Sequence, residues 1–166
     1  MTTTTAFIDI VDDITIDTLR ELCAAPGPCV SAYLPTRRAQ PDPAHDGLVL
    51  RGLLDRAACE LSALPLPAGD IDTILDPLRE LVIDRKFWGT QAEALALFAT
   101  ADGPRVLRLP ARAETSVRAG WRAHVVPLIP IATEDRSFHV LAFSRSRVRL
   151  FDGTRDALVE RPLGSI

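Results

Sequence analysis

The sequence predicts an α/β chain of the α+β kind. It is expected to form a single domain with a mainly antiparallel or mixed sheet and about three helices. Two observations carry this. Apolar residues recur at helical spacing through the first half, and from about residue 94 the period shortens towards two. A third is negative: no internal repeat and no Gly/Ser-rich linker interrupts the 166 residues, a length that suits one domain. Residues 1–14 are expected to be a tail, and 15–166 the domain.

In the tail, a short strand is expected over 7–11. Thr15 then reads as a helix N-cap, with Asp17 in the first turn. Ile14 and Leu19 occupy the two positions of a hydrophobic staple. Pro26-Gly27-Pro28 ends that helix. Residues 29–34 form a buried strand stopped by Pro35, and 36–46 a polar loop holding Arg37 and Arg38. Leu50, Leu53, Leu54, Ala57, Leu61 and Leu64 predict a long helix over roughly 46–63. Its outer face offers Arg51 with Asp55 and Arg56 with Glu60 at i,i+4.

A third helix is expected from Asp70 as cap, burying Ile71, Ile74, Leu75, Leu78, Leu81 and Val82. Asp76-Pro77 is an N-cap and N1 signature in its middle and predicts a kink or a restart. Strands follow at 94–99 and 105–109 around the Ala101-Asp102-Gly103-Pro104 turn, and at 116–123. Residues 125–131 suit a short helix or an irregular apolar run. A hairpin of 138–144 and 147–152 and a last strand at 157–161 complete the chain.

The formal charge of −3 excludes a strongly basic nucleic-acid binder on total charge. The distribution is uneven. Residues 1–36 hold one basic and five acidic groups, whereas 101–166 hold eleven basic and seven acidic ones. The basic groups are nearly all Arg, which suits planar contacts with phosphate and bases. Three cysteines without a CxxC argue against a disulfide framework or a thiol-rich zinc site and fit a reducing cytoplasm. The first residues lack a basic start and an apolar run, so a secretory signal is not expected. The most apolar stretch, 123–132, is too short to span a membrane. His45, His124 and His139 lack metal-ligand spacing, so neither metal nor cofactor is expected.

Arg145, Arg147 and Arg149 alternate near a predicted strand, and Arg108, Arg118 and Arg122 lie on or beside others. Together with Arg37 and Arg38 they are candidate contacts to phosphate or RNA. The alternative for each is a solvated strand face or loop. Asp12-Asp13 reads most simply as a solvated turn.

Three groups of residues, in order, resemble a known family. The first is Gly27-Pro28-Cys29-Val30-Ser31-Ala32-Tyr33-Leu34-Pro35-Thr36-Arg37. The second is Asp76-Pro77-Leu78 with Phe87-Trp88-Gly89-Thr90-Gln91 and Ala94-Leu95-Ala96-Leu97-Phe98. The third is Val125-Val126-Pro127-Leu128-Ile129, Phe138-His139-Val140-Leu141-Ala142-Phe143-Ser144 and Val148-Arg149-Leu150-Phe151-Asp152-Gly153-Thr154. Over roughly 15–160 the chain resembles the first domain of bacterial relatives of archaeal and eukaryotic class-1 release factors, family 3.

The resemblance implies an N-terminal domain of a three-domain plan whose catalytic loop, where present, lies in the middle domain. Members of the wider superfamily terminate translation, rescue stalled ribosomes, release peptidyl-tRNA or occupy dormant ribosomes. The Asn-Ile-Lys-Ser codon-reading motif is absent, so stop-codon decoding is not expected. Gly89-Thr90-Gln91 differs from the catalytic Gly-Gly-Gln at its second residue and reads as a helix cap before a strand. No catalytic residue carries over. The expected function is a non-catalytic, cytoplasmic module whose partner is the ribosome or tRNA, with no membrane partner and with self-association open. Two alternatives are a protein-interaction domain using exposed strand edges, and a small hydrolase pairing a Cys or Ser with His124 or His139.

Overall fold

Two central strands are apolar on both faces, and this dictates a sheet covered on both sides. In a computed structural model, residues 11–37, 41–133, 138–144, 147–153 and 158–162 are described. The chain divides into two compact units, Met1–Ala132 and Thr133–Ile166.

The first unit opens with α1 (Ile16–Ala24). Thr15 caps it through a capping box: its Oγ1 accepts from the Thr18 N–H at 3.1 Å, and Thr18 Oγ1 accepts from the Thr15 N–H at 3.3 Å. Thr15→Ala should cost about 1 kcal/mol in a urea melt. Ile14 and Leu19 of the expected staple lie in one apolar cluster.

Next come β1 (Cys29–Pro35), α2 (Pro43–Ser62), α3 (Ala68–Ile83) and the short α4 (Arg85–Trp88). Strands β2 (Ala94–Thr100), β3 (Gly103–Leu109) and β4 (Ser116–Gly120) complete a sheet of order β3-β2-β1-β4. Every pairing in it is antiparallel. A 3₁₀ turn (Val126–Leu128) and α5 (Ile129–Thr133) follow, so the apolar run at 125–131 is helical.

One sheet face presents Val30, Ala32, Leu34, Leu95, Leu97 and Ala99 to Leu50, Leu54, Leu61, Ile74, Leu78 and Trp88 of the helices. The other presents Tyr33, Ala96, Phe98 and Leu107 to Ile14, Leu22 and Leu128. Two polar side chains on that second face clip the segment that crosses it. Ser31 Oγ accepts from the His124 N–H at 2.9 Å, and the Tyr33 hydroxyl donates to the His124 carbonyl at 2.5 Å. Burial, with the neighbouring Cys23 thiol adding to it, keeps the Tyr33 phenol well above its ordinary pKa of 10.0.

Three expectations change, and a fourth narrows. The long helix begins at Pro43 inside the expected polar loop, because Asp42 caps it by accepting from the His45 N–H at 3.1 Å. The third helix begins before Asp70, which sits in its first turn where the helix dipole favours a carboxylate. Of the expected kink or restart at Pro77, the restart does not occur, since the helix runs through it. Its apolar face (Ile74, Leu75, Leu78) is fully buried, and Arg79 bridges Asp72 and Asp76 at 2.9 and 2.8 Å across the proline. The pairs Arg51–Asp55 and Arg56–Glu60 are not among the ion pairs; Glu60 instead accepts from the Ala119 N–H of β4 at 2.7 Å.

Asp12 also departs from expectation. Its N–H donates to the Arg108 carbonyl at 3.0 Å, and its Oδ2 accepts from the Arg108 N–H at 2.6 Å. The expected solvated turn is instead fastened to the outer side of β3. The expected strand over 7–11 falls outside the described residues except at Val11.

The second unit contains a three-stranded antiparallel sheet of β5 (Phe138–Phe143), β6 (Val148–Gly153) and β7 (Leu158–Arg161). Gly153 is its one buried described strand residue. Its register partner Phe138 lays a ring so close that a Cβ on Gly153 would meet it at 2.3 Å.

Candidate nucleic-acid interface

Arg37 leaves the end of β1 from a fixed point. Thr36 is buried, its N–H donates to the Glu93 carbonyl at 3.0 Å, and its hydroxyl donates to the Ala92 carbonyl at 2.8 Å. Arg37 itself is exposed, and its neighbour Arg38 lies outside the described residues. Arg118 projects from β4, opposite Ser31, and Arg122 follows that strand; both are exposed. Arg108 does not join them. It belongs to the helix-covered face, where its guanidinium lies over the Phe87 ring at 5.7 Å.

In the second unit Arg147 is exposed, and Arg145 lies outside the described residues. Arg149 is engaged: its Nε donates to Glu160 at 2.8 Å, and its guanidinium stacks over Phe151 at 4.8 Å. The Glu160 bond raises the Arg149 pKa, and the Arg149 bond lowers that of Glu160. On the opposite face of this sheet, Asp152 meets His139 Nδ1 at 2.8 Å and Arg161 Nε at 3.5 Å. Among the described candidate arginines, Arg149 is held by an acid, Arg108 lies over an aromatic ring, and Arg37, Arg118, Arg122 and Arg147 make no ion pair. Sequence spacing could not separate them, because the partner of Arg149 comes from a different strand.

Among the described residues, no Ser or Cys side chain hydrogen-bonds a histidine ring. Cys29 is buried, and desolvation pushes its thiol up to about 11, away from nucleophile chemistry. The Gln91 side chain is buried and its amide donates to the Phe87 carbonyl, so Gly89-Thr90-Gln91 joins a helix end to the sheet. Among the described residues, no group of three or more His, Cys, Asp or Glu could hold a metal ion, and no helix is long and apolar enough to cross a membrane.

Two clefts flank α4. The larger, about 630 Å³, lies between α2 and the end of α3, with Leu48, Val82, Ile83 and Trp88 on its walls and Arg51 and Arg85 beside them. The smaller, about 360 Å³, is lined by Asp84, Lys86, Phe87, Thr90 and Arg108. Neither cleft was legible in the sequence, because each gathers residues from separate elements.

Asp46, in the first turn of α2, is 3% exposed, and its Oδ2 has no hydrogen-bond partner. Burial pushes its carboxyl above the ordinary 3.8; Asp42 adds to this, while His45 and Arg37 oppose it. The folded-state pKa is thus raised, so the ionised carboxylate costs stability. Below 3.8 the group is protonated in both states and the cost vanishes. As pH rises through that value the unfolded chain ionises first, and the cost is complete once the folded carboxyl has ionised too. Asp46→Asn should therefore raise Tm at pH 7, and by less at pH 3, in paired thermal melts.

No protein-family model matches the chain, and no curated protein matches it significantly. The fold and its charges thus define an α+β chain with a helix-covered antiparallel sheet, a second small sheet and a scatter of free arginines.

Proposed function

We propose that the chain is a non-catalytic module of a release-factor-like translation protein and contacts ribosomal RNA or tRNA. The supporting observation is the set of free cations. Arg37, Arg118, Arg122 and Arg147 are exposed and make no ion pair among the described residues. Arg149 is removed from the set by Glu160. Exposed guanidinium groups without an ion pair are available to phosphates, and their contribution is screened by salt. Cosedimentation with ribosomes at low and moderate salt tests this. Binding should fall with salt and fall again in the variant Arg37→Ala/Arg118→Ala/Arg122→Ala/Arg147→Ala. Failure to bind ribosomes or tRNA at any salt refutes the proposal.

A second function, protein interaction or self-association, is favoured by the sheet of the second unit. Phe143, Val159 and Leu158 are 73%, 63% and 57% exposed, and Phe138, Val140, Leu141 and Val148 are exposed with them. They lie on both faces of the sheet, with Leu141, Phe143, Val148 and Val159 sharing one face that a partner would cover. Light scattering on the purified chain should show an oligomer that Phe143→Ser weakens. A monomer that captures no protein from lysate counts against it.

A further inference from the structure

We propose that the cleft lined by Asp84, Lys86, Phe87, Thr90 and Arg108 is a binding site for a phosphate group, carried by a free nucleotide or by an RNA strand. Two cations face this cleft, and neither Lys86 nor Arg108 makes an ion pair among the described residues. Arg108 is also pre-positioned. Its backbone N–H and carbonyl are both held by Asp12, and its guanidinium is seated over the Phe87 ring at 5.7 Å. Its Nε is buried without a hydrogen-bond partner. A guanidinium fixed in this way loses little freedom on binding a planar pair of phosphate oxygens.

Lys86 adds a point charge, and the exposed Thr90 adds a hydroxyl donor. The N–H groups of α4 play no part, because Asp84 Oδ1 already accepts from Lys86 and Phe87 at 2.9 and 3.0 Å. Asp84 also sets the ligand class. A carboxylate in the lining disfavours a second anionic group and accepts from a hydroxyl or amine beside the phosphate, as a ribonucleotide provides. The volume of about 360 Å³ is in the range of small-ligand clefts.

The site rests on the cleft, not on the free arginines above, and the two are separable by variant. Amide NMR on the full chain would follow Lys86, Thr90 and Arg108 during titration with inorganic phosphate, AMP and a single-stranded RNA hexamer. Shifts at these three amides are expected with AMP or the hexamer. Lys86→Gln and Arg108→Gln should each weaken the binding by about tenfold, one lost charge-assisted contact. Arg51→Gln, in the other cleft, should leave it unchanged. Should Arg108→Gln not fold, the exposed positions Lys86→Gln and Thr90→Val carry the test.

Binding of AMP and phosphate identifies a free nucleotide as the source. Binding of the hexamer alone, kept in the Arg118→Ala/Arg122→Ala variant, identifies RNA. The proposal is overturned if none of the three probes shifts these amides, or if binding survives Lys86→Gln at full strength.

Discussion

Gly47→Ala should destabilise the protein by roughly 3 kcal/mol, although alanine is the better helix former by about 1 kcal/mol. Gly47 lies on α2 where that helix meets the end of α3. A Cβ there would sit 2.4 Å from the Val82 carbonyl oxygen and 3.6 Å from the Trp88 indole nitrogen. The obstructing atom is backbone, so no rotamer change relieves the clash; α2 and α3 would have to part. Gly52, five residues along the same helix, has open space around its would-be Cβ. Gly52→Ala should therefore stabilise by about 0.5–1 kcal/mol, from reduced freedom of the unfolded chain. Urea melts of both variants read opposite signs from the same chemical change. A Gly47→Ala protein as stable as the parent would mean that the two helices do not approach this closely.

Trp88→Ala should cost about 3–5 kcal/mol, the range for emptying a large buried aromatic site. Trp88 is 1% exposed within the helix-side core. Its Nε1–H donates to the Leu81 carbonyl near the end of α3 at 2.7 Å, and its ring meets Phe87 edge-on at 4.9 Å. Trp88→Phe separates packing from hydrogen bonding. It keeps most of the ring volume and strips the Leu81 carbonyl of this donor, for about 1–3 kcal/mol. Far-UV circular dichroism is the suitable probe, because the other tryptophan, Trp121, is already 52% exposed and reports unfolding poorly. Equal losses in the two variants would show that the hydrogen bond, not the ring, holds α4 in place.

Local chemistry made much of the fold legible. The Thr15 cap, the two strands apolar on both faces and the long leucine-spaced helix all follow from side chains within a few residues of one another. The dipeptide Asp-Pro shows where local chemistry stops deciding. At Asp42-Pro43 it starts a helix as its geometry favours. At Asp76-Pro77 it lies inside a helix that continues, because the burial of Ile74, Leu75 and Leu78 outweighs the lost hydrogen bond. Composition marked no boundary near residue 133, since the two units are joined without a flexible linker signature. For the candidate interface, the sequence supplied the cations and their uneven distribution. It could not supply their partners: Glu160 for Arg149 and Phe87 for Arg108 come from elements apart in the chain.

The carboxylates at the two flanks of the four-stranded sheet have a consequence for its behaviour in solution. Asp12 occupies the main-chain groups of Arg108 on one flank, and Glu60 takes the N–H of Ala119 on the other. An open flank is a template for an intruding strand, and a buried or bound carboxylate there is a stopper. Asp12 and Glu60 thereby occupy main-chain groups that an added strand would otherwise pair with. Glu60→Val, a change on α2, would remove one stopper and leave the Ala119 N–H open to a neighbouring chain, read as faster thioflavin-T-positive aggregation than the parent.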